Sequence, residues 1–238
     1  MGHDTMKVIL TTHDRKPAYV HDTLESMFRN DDMKGADIHV LVHSQDSSFL
    51  GAWEQSTRIT VHTLTDEQLK EKNGLARRAK CAHVKRLALE MADDEVLLLE
   101  DDCVFAPFWW TKFQAALEAY GPNRQWAMIA LCYHLASNQV GLVPWDPSTY
   151  YGMVSLYLGS VIRKEAIKAL GPRDNPDWDK NNPGVGGDVR LQQMLMKRRK
   201  DFKLFALRPQ LVYHTGEVSS IGSRSEDSRR RSPGKPML

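Results

Sequence analysis

Short apolar segments alternate with longer amphipathic segments over the first hundred residues of the chain. The short segments have the length and apolar content of strands. They occupy residues 7–12, 37–42, 58–64 and 96–99. Residues 18–29 and 75–91 instead repeat apolar side chains every three or four positions, as helices packed on one face do. This order of elements predicts an α/β fold with a mostly parallel sheet.

The rest of the chain is less regular. Pro107 is expected to open a helix whose aromatic face, with Trp109, Trp110 and Phe113, lies mostly in the core, because large aromatics dominate buried area. Strands are predicted at residues 126–133, 152–161 and 202–207, and helices at residues 164–170 and 188–199. Loops or irregular segments rich in proline, glycine and polar residues are predicted at residues 136–151, 173–187 and 209–222.

The composition is that of an ordinary globular protein. Of 238 residues, 42% are hydrophobic and 26% are charged, and the net charge of +2 gives no overall electrostatic bias. Three widely spaced cysteines match no zinc motif and favour a reducing compartment. No apolar run approaches the roughly 18–20 residues that span a bilayer. We therefore expect a soluble cytoplasmic protein with no membrane partner and no obligate protein partner, ending in a basic, disordered tail at residues 223–238.

Polar side chains follow three of the predicted strands where each strand ends. Thr11 and Thr12 end the first strand, residues 44–46 follow the second, and residues 100–102 follow the fourth. In a parallel sheet these ends meet at one edge, where α/β proteins bind ligands. The acidic motif, defined as Glu100, Asp101 and Asp102, suits Mg²⁺ or Mn²⁺ bridging to phosphates. The alternative interpretation is a solvated acidic turn after a core strand.

Four groups of residues, taken in order, resemble the GT-A class of nucleotide-sugar-dependent glycosyltransferases. They are Thr11, Thr12 and Arg15; the acidic motif; Gly186, Gly187 and Asp188; and His214 with Ser219 and Ser220. The resemblance covers residues 7–222 and implies a Rossmann-like three-layer sandwich with a mostly parallel central sheet. Residues 7–105 are then the nucleotide-sugar-binding half, and residues 106–222 the acceptor-binding half. The acidic motif is a variant of the family's Asp-x-Asp pattern.

The resemblance implies a metal site at the acidic motif. Asp102 and His214 are expected to hold Mn²⁺ or Mg²⁺ between the donor phosphates, with Asp101 assisting. The imidazole nitrogen favours Mn²⁺ over Mg²⁺. Ser219 and Ser220 are expected to bond to the phosphates. The alternatives are a structural histidine and an ordinary Ser/Gly loop.

The same resemblance implies a UDP-sugar donor held near the first strand. Thr11, Thr12 and Arg15 are expected to contact the nucleotide, and Asp46 to accept a bond from the uracil or ribose. Arg77 opens the helix that precedes the acidic strand, close to the expected donor position. Asp46 is equally interpretable as the first residue of an Asx-turn, and Arg77 as a solvated helix charge.

Asp188 is the candidate general base. It follows two glycines and begins a predicted helix, so its carboxylate can approach a bound sugar and remain ionised. A base in this position implies transfer with inversion of configuration. If Asp188 is only a helix N-cap, a retaining mechanism stays open.

Loop aromatics and basic residues bear on the acceptor. Trp145, Tyr151 and Trp178 could stack on an unpaired base, and Arg198 lies in a basic run that could bind phosphates. The chain is similar to virus-encoded enzymes that glycosylate 5-hydroxymethylcytosine in double-stranded DNA, which would act in the host cytoplasm. A saccharide, a lipid-linked sugar or a protein are the alternative acceptors.

Two functions outside glycosyl transfer are alternatives. A nucleotidyltransferase would normally have a glycine-rich loop after its first strand, and the sequence from Thr11 to Pro17 has no glycine. A non-catalytic nucleic-acid-binding protein needs no acids clustered at a strand end.

Overall fold

The computed structural model describes residues 5–14, 19–29, 31–75, 77–92, 95–120, 126–131, 141–144, 159–170, 197 and 203–214. The β-strands in these residues are β1 Met6–Thr12, β2 Ala36–Val42, β3 Thr60–His62, β4 Val96–Glu100, β5 Cys103–Phe105, β6 Trp126–Ala130, β7 Gly141–Pro144, β8 Gly159–Ile162, β9 Lys203–Arg208 and β10 Val212–His214. The α-helices are α1 Tyr19–Phe28, α2 Asp66–Asn73, α3 Arg77–Glu90, α4 Trp109–Tyr120 and α5 Lys164–Leu170, and Ser48–Gln55 forms a 3-10 helix. None of these helices has the length and apolar character needed to cross a membrane.

Eight strands form the central sheet in the order β3-β2-β1-β4-β8-β6-β9-β7. Strands β3, β2, β1 and β4 run parallel to one another. Because β8 is antiparallel to both β4 and β6, strand β6 and its parallel neighbour β9 run in the same direction as β4. Only β8 and β7 run the other way within this sheet. The predicted mostly parallel α/β sheet is confirmed.

Helices cover both faces of the sheet, and each face has its own apolar core. On one face Leu97 and Leu99 of β4 pack with α1 and α4, whose Trp109 lies in the same cluster. On the other face Val96 and Leu98 pack with residues of α3 and α5. Burial of alternate residues on opposite faces explains the continuous apolar run of β4, since each buried leucine contributes roughly 1.5–3 kcal/mol.

The predicted aromatic core of α4 is confirmed. Trp109, Trp110 and Phe113 are each 1% exposed. The indole N–H groups of the two tryptophans donate to backbone carbonyls, Trp109 to Met27 (2.9 Å) and Trp110 to Lys34 (2.9 Å). These bonds satisfy polar atoms that burial would otherwise leave without water.

Several short elements differ from the prediction. Strand β7 lies in a segment predicted as loop, and β10 lies in a segment predicted as irregular. Each has only three or four residues, and its partner strand, β9 or β5, supplies the pairing. The 3-10 helix and α2 were not predicted, although Thr65 and Gln68 form a capping box at the start of α2.

The bounds of three predicted strands also change. The strand predicted at residues 58–64 is confined to Thr60–His62, and the strand predicted at residues 126–133 ends at Ala130. Of the strand predicted at residues 152–161, the described part forms β8 at Gly159–Ile162, and residues 152–158 lie outside the described residues. Pairing with neighbouring strands sets these limits, which residue propensity alone does not locate.

Gly159 lets β10 approach the central sheet closely. A Cβ atom at this position would lie 3.1 Å from Leu99 Cδ2 and 3.3 Å from Val212 Cγ2. Because both neighbours are buried, Gly159→Ala is expected to destabilise the protein by about 1–2 kcal/mol through overpacking. Urea denaturation would measure this change, and an unchanged midpoint would show that the neighbouring side chains move aside freely.

Candidate functional site

The carboxyl ends of β2, β1 and β4 lie side by side at one edge of the sheet. Thr12 pairs with Val42 of β2, and Thr11 pairs with Glu100 of β4. The three polar strand ends predicted to converge are therefore neighbours, as the parallel order required. The acidic motif occupies the centre of this edge, because β4 is the fourth of the eight strands.

Glu100 and Asp101 of the acidic motif contact side chains of other elements. Glu100 Oε1 lies 2.8 Å from the Nζ of Lys85, whose side chain is 5% exposed. Asp101 Oδ2 accepts a 2.7 Å hydrogen bond from Thr12 Oγ1, and both side chains are buried. The Lys85 charge and the Thr12 hydroxyl reduce the mutual repulsion of three adjacent carboxylates.

The third member, Asp102, is 8% exposed and immediately precedes β5. Strand β5 pairs antiparallel with β10, and His214 is the Cα partner of Cys103. Directly opposed residues in such a pair have Cα atoms roughly 4.5–5.5 Å apart, so the backbone brings His214 next to Asp102. The His214 side chain lies outside what the structure describes. A carboxylate oxygen and an imidazole nitrogen form a donor set that suits Mn²⁺.

Among the side chains that the structure describes, no group of three or more His, Cys, Asp or Glu residues is arranged to hold a metal ion. At the acidic motif the structure describes the Asp102 side chain and the backbone of His214.

Some of the residues predicted to contact the nucleotide form hydrogen bonds within the protein. Thr11 Oγ1 donates to the Leu99 carbonyl (3.2 Å), so the hydroxyls of Thr11 and Thr12 both bond within the protein. Asp46 is exposed, and its Oδ1 accepts from the Ser48 N–H (2.9 Å), which is the geometry of an Asx-turn. The hydrogen bonds from Ser48 lower the pKa of Asp46, so its carboxylate is ionised at neutral pH.

Arg77 is the first residue of α3, and only its backbone is described. The remaining predicted site residues lie outside the described residues. They are Arg15, Trp145, Tyr151, Trp178, Asp188, Arg198, Ser219 and Ser220.

The structure adds His43 to this edge of the sheet. Its backbone N–H donates to the Thr12 carbonyl (2.8 Å), and its ring stacks on His13 with centroids 5.6 Å apart. Burial lowers the pKa of His43 well below its usual value, and the nearby His13, Lys72 and Lys85 lower it further. At neutral pH the imidazole beside Thr12 is therefore uncharged.

Two further residues, Lys85 and Thr23, act on the acidic motif from within helices. Both are buried. Lys85 lies three residues after Ala82 and four before Leu89, and Thr23 lies three after Val20 and four before Met27, so each falls on the apolar face of its helix. The sequence contained a signal for both residues, because a charged or hydroxyl side chain on an apolar helix face needs a polar partner when it is buried.

Three histidines make the stability of the protein dependent on pH. Burial is the main cause that lowers the pKa of His43, His62 and His83 below the usual value of 6.5. These groups gain protons on unfolding, so their stabilising effect is complete above about pH 6.5 and is lost as pH falls toward their folded pKa values. We expect a lower urea midpoint at pH 5.5 than at pH 7.5, and a smaller difference in His62→Asn. Equal wild-type midpoints would contradict this expectation.

This sheet, its two helical layers and the acidic motif after β4 constitute a GT-A fold, as the sequence resemblance implied. The solved structures with a similar fold include the following two. The chain is similar to the S. aureus TarS 1-349 structure, with a TM-score of 0.56 and 14% identity, covering 90% of this chain and 61% of that one. It is also similar to the mannosyltransferase PcManGT from Pyrobaculum calidifontis in complex with GDP-Man and Mn²⁺, with a TM-score of 0.57 and 13% identity, covering 95% of this chain and 59% of that one.

The chain thus spans about three fifths of the length of each of these two structures. No protein-family model and no curated protein sequence matches the chain.

Proposed function

We propose that the protein is a metal-dependent glycosyltransferase that moves a sugar from a nucleotide-sugar donor to an acceptor hydroxyl. One observation carries this proposal: the acidic motif stands at the carboxyl end of a central strand of a GT-A sheet, and β10 brings the backbone of His214 next to Asp102. The presence of GDP-Man and Mn²⁺ in the PcManGT complex supports the same assignment.

In this proposal Asp102 and His214 would hold Mn²⁺ or Mg²⁺. The cation supplies Lewis acidity that offsets the negative charge developing on the leaving diphosphate. Thr12 fixes the Asp101 carboxylate, and Lys85 fixes that of Glu100. In this proposal Asp102 has the most direct role of the three acids because it adjoins the backbone position of His214, and Asp101 assists it.

The donor is proposed to be a UDP-sugar. Thr11 and Thr12 act mainly by joining β1 to β4 and to Asp101, because their hydroxyls donate to those partners. Contacts to the nucleotide and its phosphates are assigned to Arg15, Asp46, Arg77, Ser219 and Ser220. The exposed, ionised carboxylate of Asp46 suits a hydrogen bond from the base or ribose.

Asp188 is proposed as the general base. It takes the proton from the acceptor hydroxyl while that oxygen bonds to the anomeric carbon from the face opposite the leaving group. The bond from the anomeric carbon to the donor phosphate oxygen breaks, and its electron pair leaves with the diphosphate. This displacement inverts the configuration of the sugar.

The acceptor is proposed to be 5-hydroxymethylcytosine in double-stranded DNA, whose primary hydroxyl suits this attack. Trp145, Tyr151 and Trp178 would stack against an extruded base, and Arg198 would meet the phosphate backbone. The basic residues that follow Gly222 fit the same polyanionic partner. Such an enzyme, virus-encoded in this proposal, would work in the host cytoplasm.

An assay of diphosphate release tests the proposal. The protein is incubated with Mn²⁺ and a panel of UDP- and GDP-sugars, together with hydroxymethylated DNA, matched unmodified DNA or a saccharide acceptor. We expect UDP release from one UDP-sugar, stimulated only by hydroxymethylated DNA and lost in Asp102→Ala. Absence of release from every donor would overturn glycosyl transfer, whereas release with the saccharide alone would overturn only the DNA acceptor.

Two further experiments test the general base and the DNA acceptor separately. Turnover in Asp188→Ala equal to that of the wild type would remove Asp188 as the base. Binding to duplex DNA should weaken steeply between 50 and 200 mM salt if several phosphates are contacted, so salt-independent binding would count against a nucleic-acid acceptor.

A further inference from the structure

Thr23 of α1 joins this helix to the backbone around the acidic motif. Its side chain is fully buried. Its Oγ1 lies 2.8 Å from the Asp101 carbonyl oxygen and 2.9 Å from the Cys103 carbonyl oxygen, and it accepts a hydrogen bond from the Cys103 N–H at 3.1 Å. One hydroxyl thus contacts three backbone atoms far from it in the sequence.

These contacts lie on both sides of Asp102. The carbonyl of the preceding residue and the carbonyl and N–H of the following residue are all within hydrogen-bond distance of Thr23 Oγ1. Holding the two neighbouring peptide groups fixes the direction in which the Asp102 Cα–Cβ bond leaves the backbone. The proposed function assigns the Asp102 carboxylate itself to the metal.

Water cannot easily replace the Thr23 hydroxyl. The position is closed to solvent between α1 and β5, and the neighbouring Ser26 is also buried. Without the hydroxyl, the Cys103 N–H and two carbonyls lose a partner in a place where unsatisfied polar groups are unfavourable. The backbone of residues 101–103 would shift to recover hydrogen bonds, and Asp102 would shift with it.

We propose that Thr23 is a positioning residue for the metal site, setting metal affinity through the backbone on either side of Asp102. The metal part of this inference rests on the proposed function, whereas the hydrogen bonds themselves do not. Residues that orient metal ligands from outside the ligand set typically change metal affinity about 10- to 100-fold when altered.

The test compares Thr23→Val, which has a similar shape but lacks the hydroxyl, with Thr23→Ser, which keeps it. We expect Thr23→Val to weaken Mn²⁺ binding, measured by electron paramagnetic resonance of free Mn²⁺, about 10-fold, and Thr23→Ser to restore it. Raising Mn²⁺ to saturation should return the turnover of Thr23→Val close to that of the wild type. A purely structural role would lower turnover at every Mn²⁺ concentration.

Ser26→Ala is the matched control. Ser26 lies on the same helix and bonds to the same strand, but its Oγ accepts from the Phe105 N–H at 3.3 Å, beyond the acidic motif. We expect this variant to bind Mn²⁺ as the wild type does, even if its thermal stability falls by a similar amount. An equal loss of Mn²⁺ affinity in Ser26→Ala and Thr23→Val would overturn the inference.

A second readout does not depend on metal. Amide hydrogen exchange of a peptide containing Asp102 and Cys103 should be faster in Thr23→Val than in the wild type without Mn²⁺, because the Cys103 N–H loses its acceptor. Unchanged exchange would overturn the positioning role. Faster exchange in a protein whose wild type binds no Mn²⁺ would support that role while overturning the metal site proposed above.

Discussion

Asp102→Asn is expected to lower metal-dependent turnover by about 10³-fold, the scale seen when a group that stabilises developing charge is removed. The substitution keeps the shape of the side chain but removes the negative charge that attracts the cation. Asp102 is nearly buried, at 8% exposure, and its neighbour Cys103 pairs with His214. Diphosphate release and the Mn²⁺ activation constant measure the loss.

Asp101→Asn provides the comparison for this prediction. The amide oxygen of asparagine can still accept the hydrogen bond that Thr12 donates to Asp101. We therefore expect a smaller loss than in Asp102→Asn, and the surface variant Asp32→Asn should retain wild-type turnover. If Asp101→Asn were the more damaging of the two, the direct metal contact would belong to Asp101.

Removing Glu100 from its ion pair with Lys85 should destabilise the protein more than removing Lys85. Lys85 is 5% exposed and Glu100 is 32% exposed. Removing a carboxylate that offsets a buried ammonium typically costs 3–5 kcal/mol, and the partial exposure of Glu100 reduces this, so we expect Glu100→Gln to destabilise the protein by about 2–3 kcal/mol. Lys85→Met leaves a carboxylate that can reach water, and should cost less than about 1 kcal/mol.

A double-mutant cycle isolates the pair. Urea denaturation of Lys85→Met, Glu100→Gln and the double variant, all without metal, gives the interaction free energy directly. The double variant should be close to Lys85→Met in stability, because neither charge is then left in the interior. A greater loss in Lys85→Met than in Glu100→Gln would show that the Lys85 ammonium stabilises this region through partners other than Glu100.

The sequence predicted those elements of the fold whose own residues show a clear apolar or amphipathic pattern. Strand β4 is apolar on both faces and runs directly into charge, and Lys164–Leu170 forms the predicted helix. Strands β7 and β10 were missed because three or four residues contain too little periodicity to identify a strand. Their existence depends on β9 and β5, which lie elsewhere in the sequence.

The sequence by itself determined the α/β class, the parallel strands and the convergence of polar strand ends at one edge. Local apolar periodicity and the order of connections are sufficient to predict these features. Only the tertiary structure decided which side chains contact Glu100 and Asp101. It paired Glu100 with Lys85 and Asp101 with Thr12, and it set the Cys103 backbone against Thr23. These contacts join residues 15 to 89 positions apart. Pairing of β1 with β4 brings Thr12 to Asp101, and packing of α3 and α1 on the sheet brings Lys85 and Thr23 to the acidic motif, which no local sequence pattern encodes.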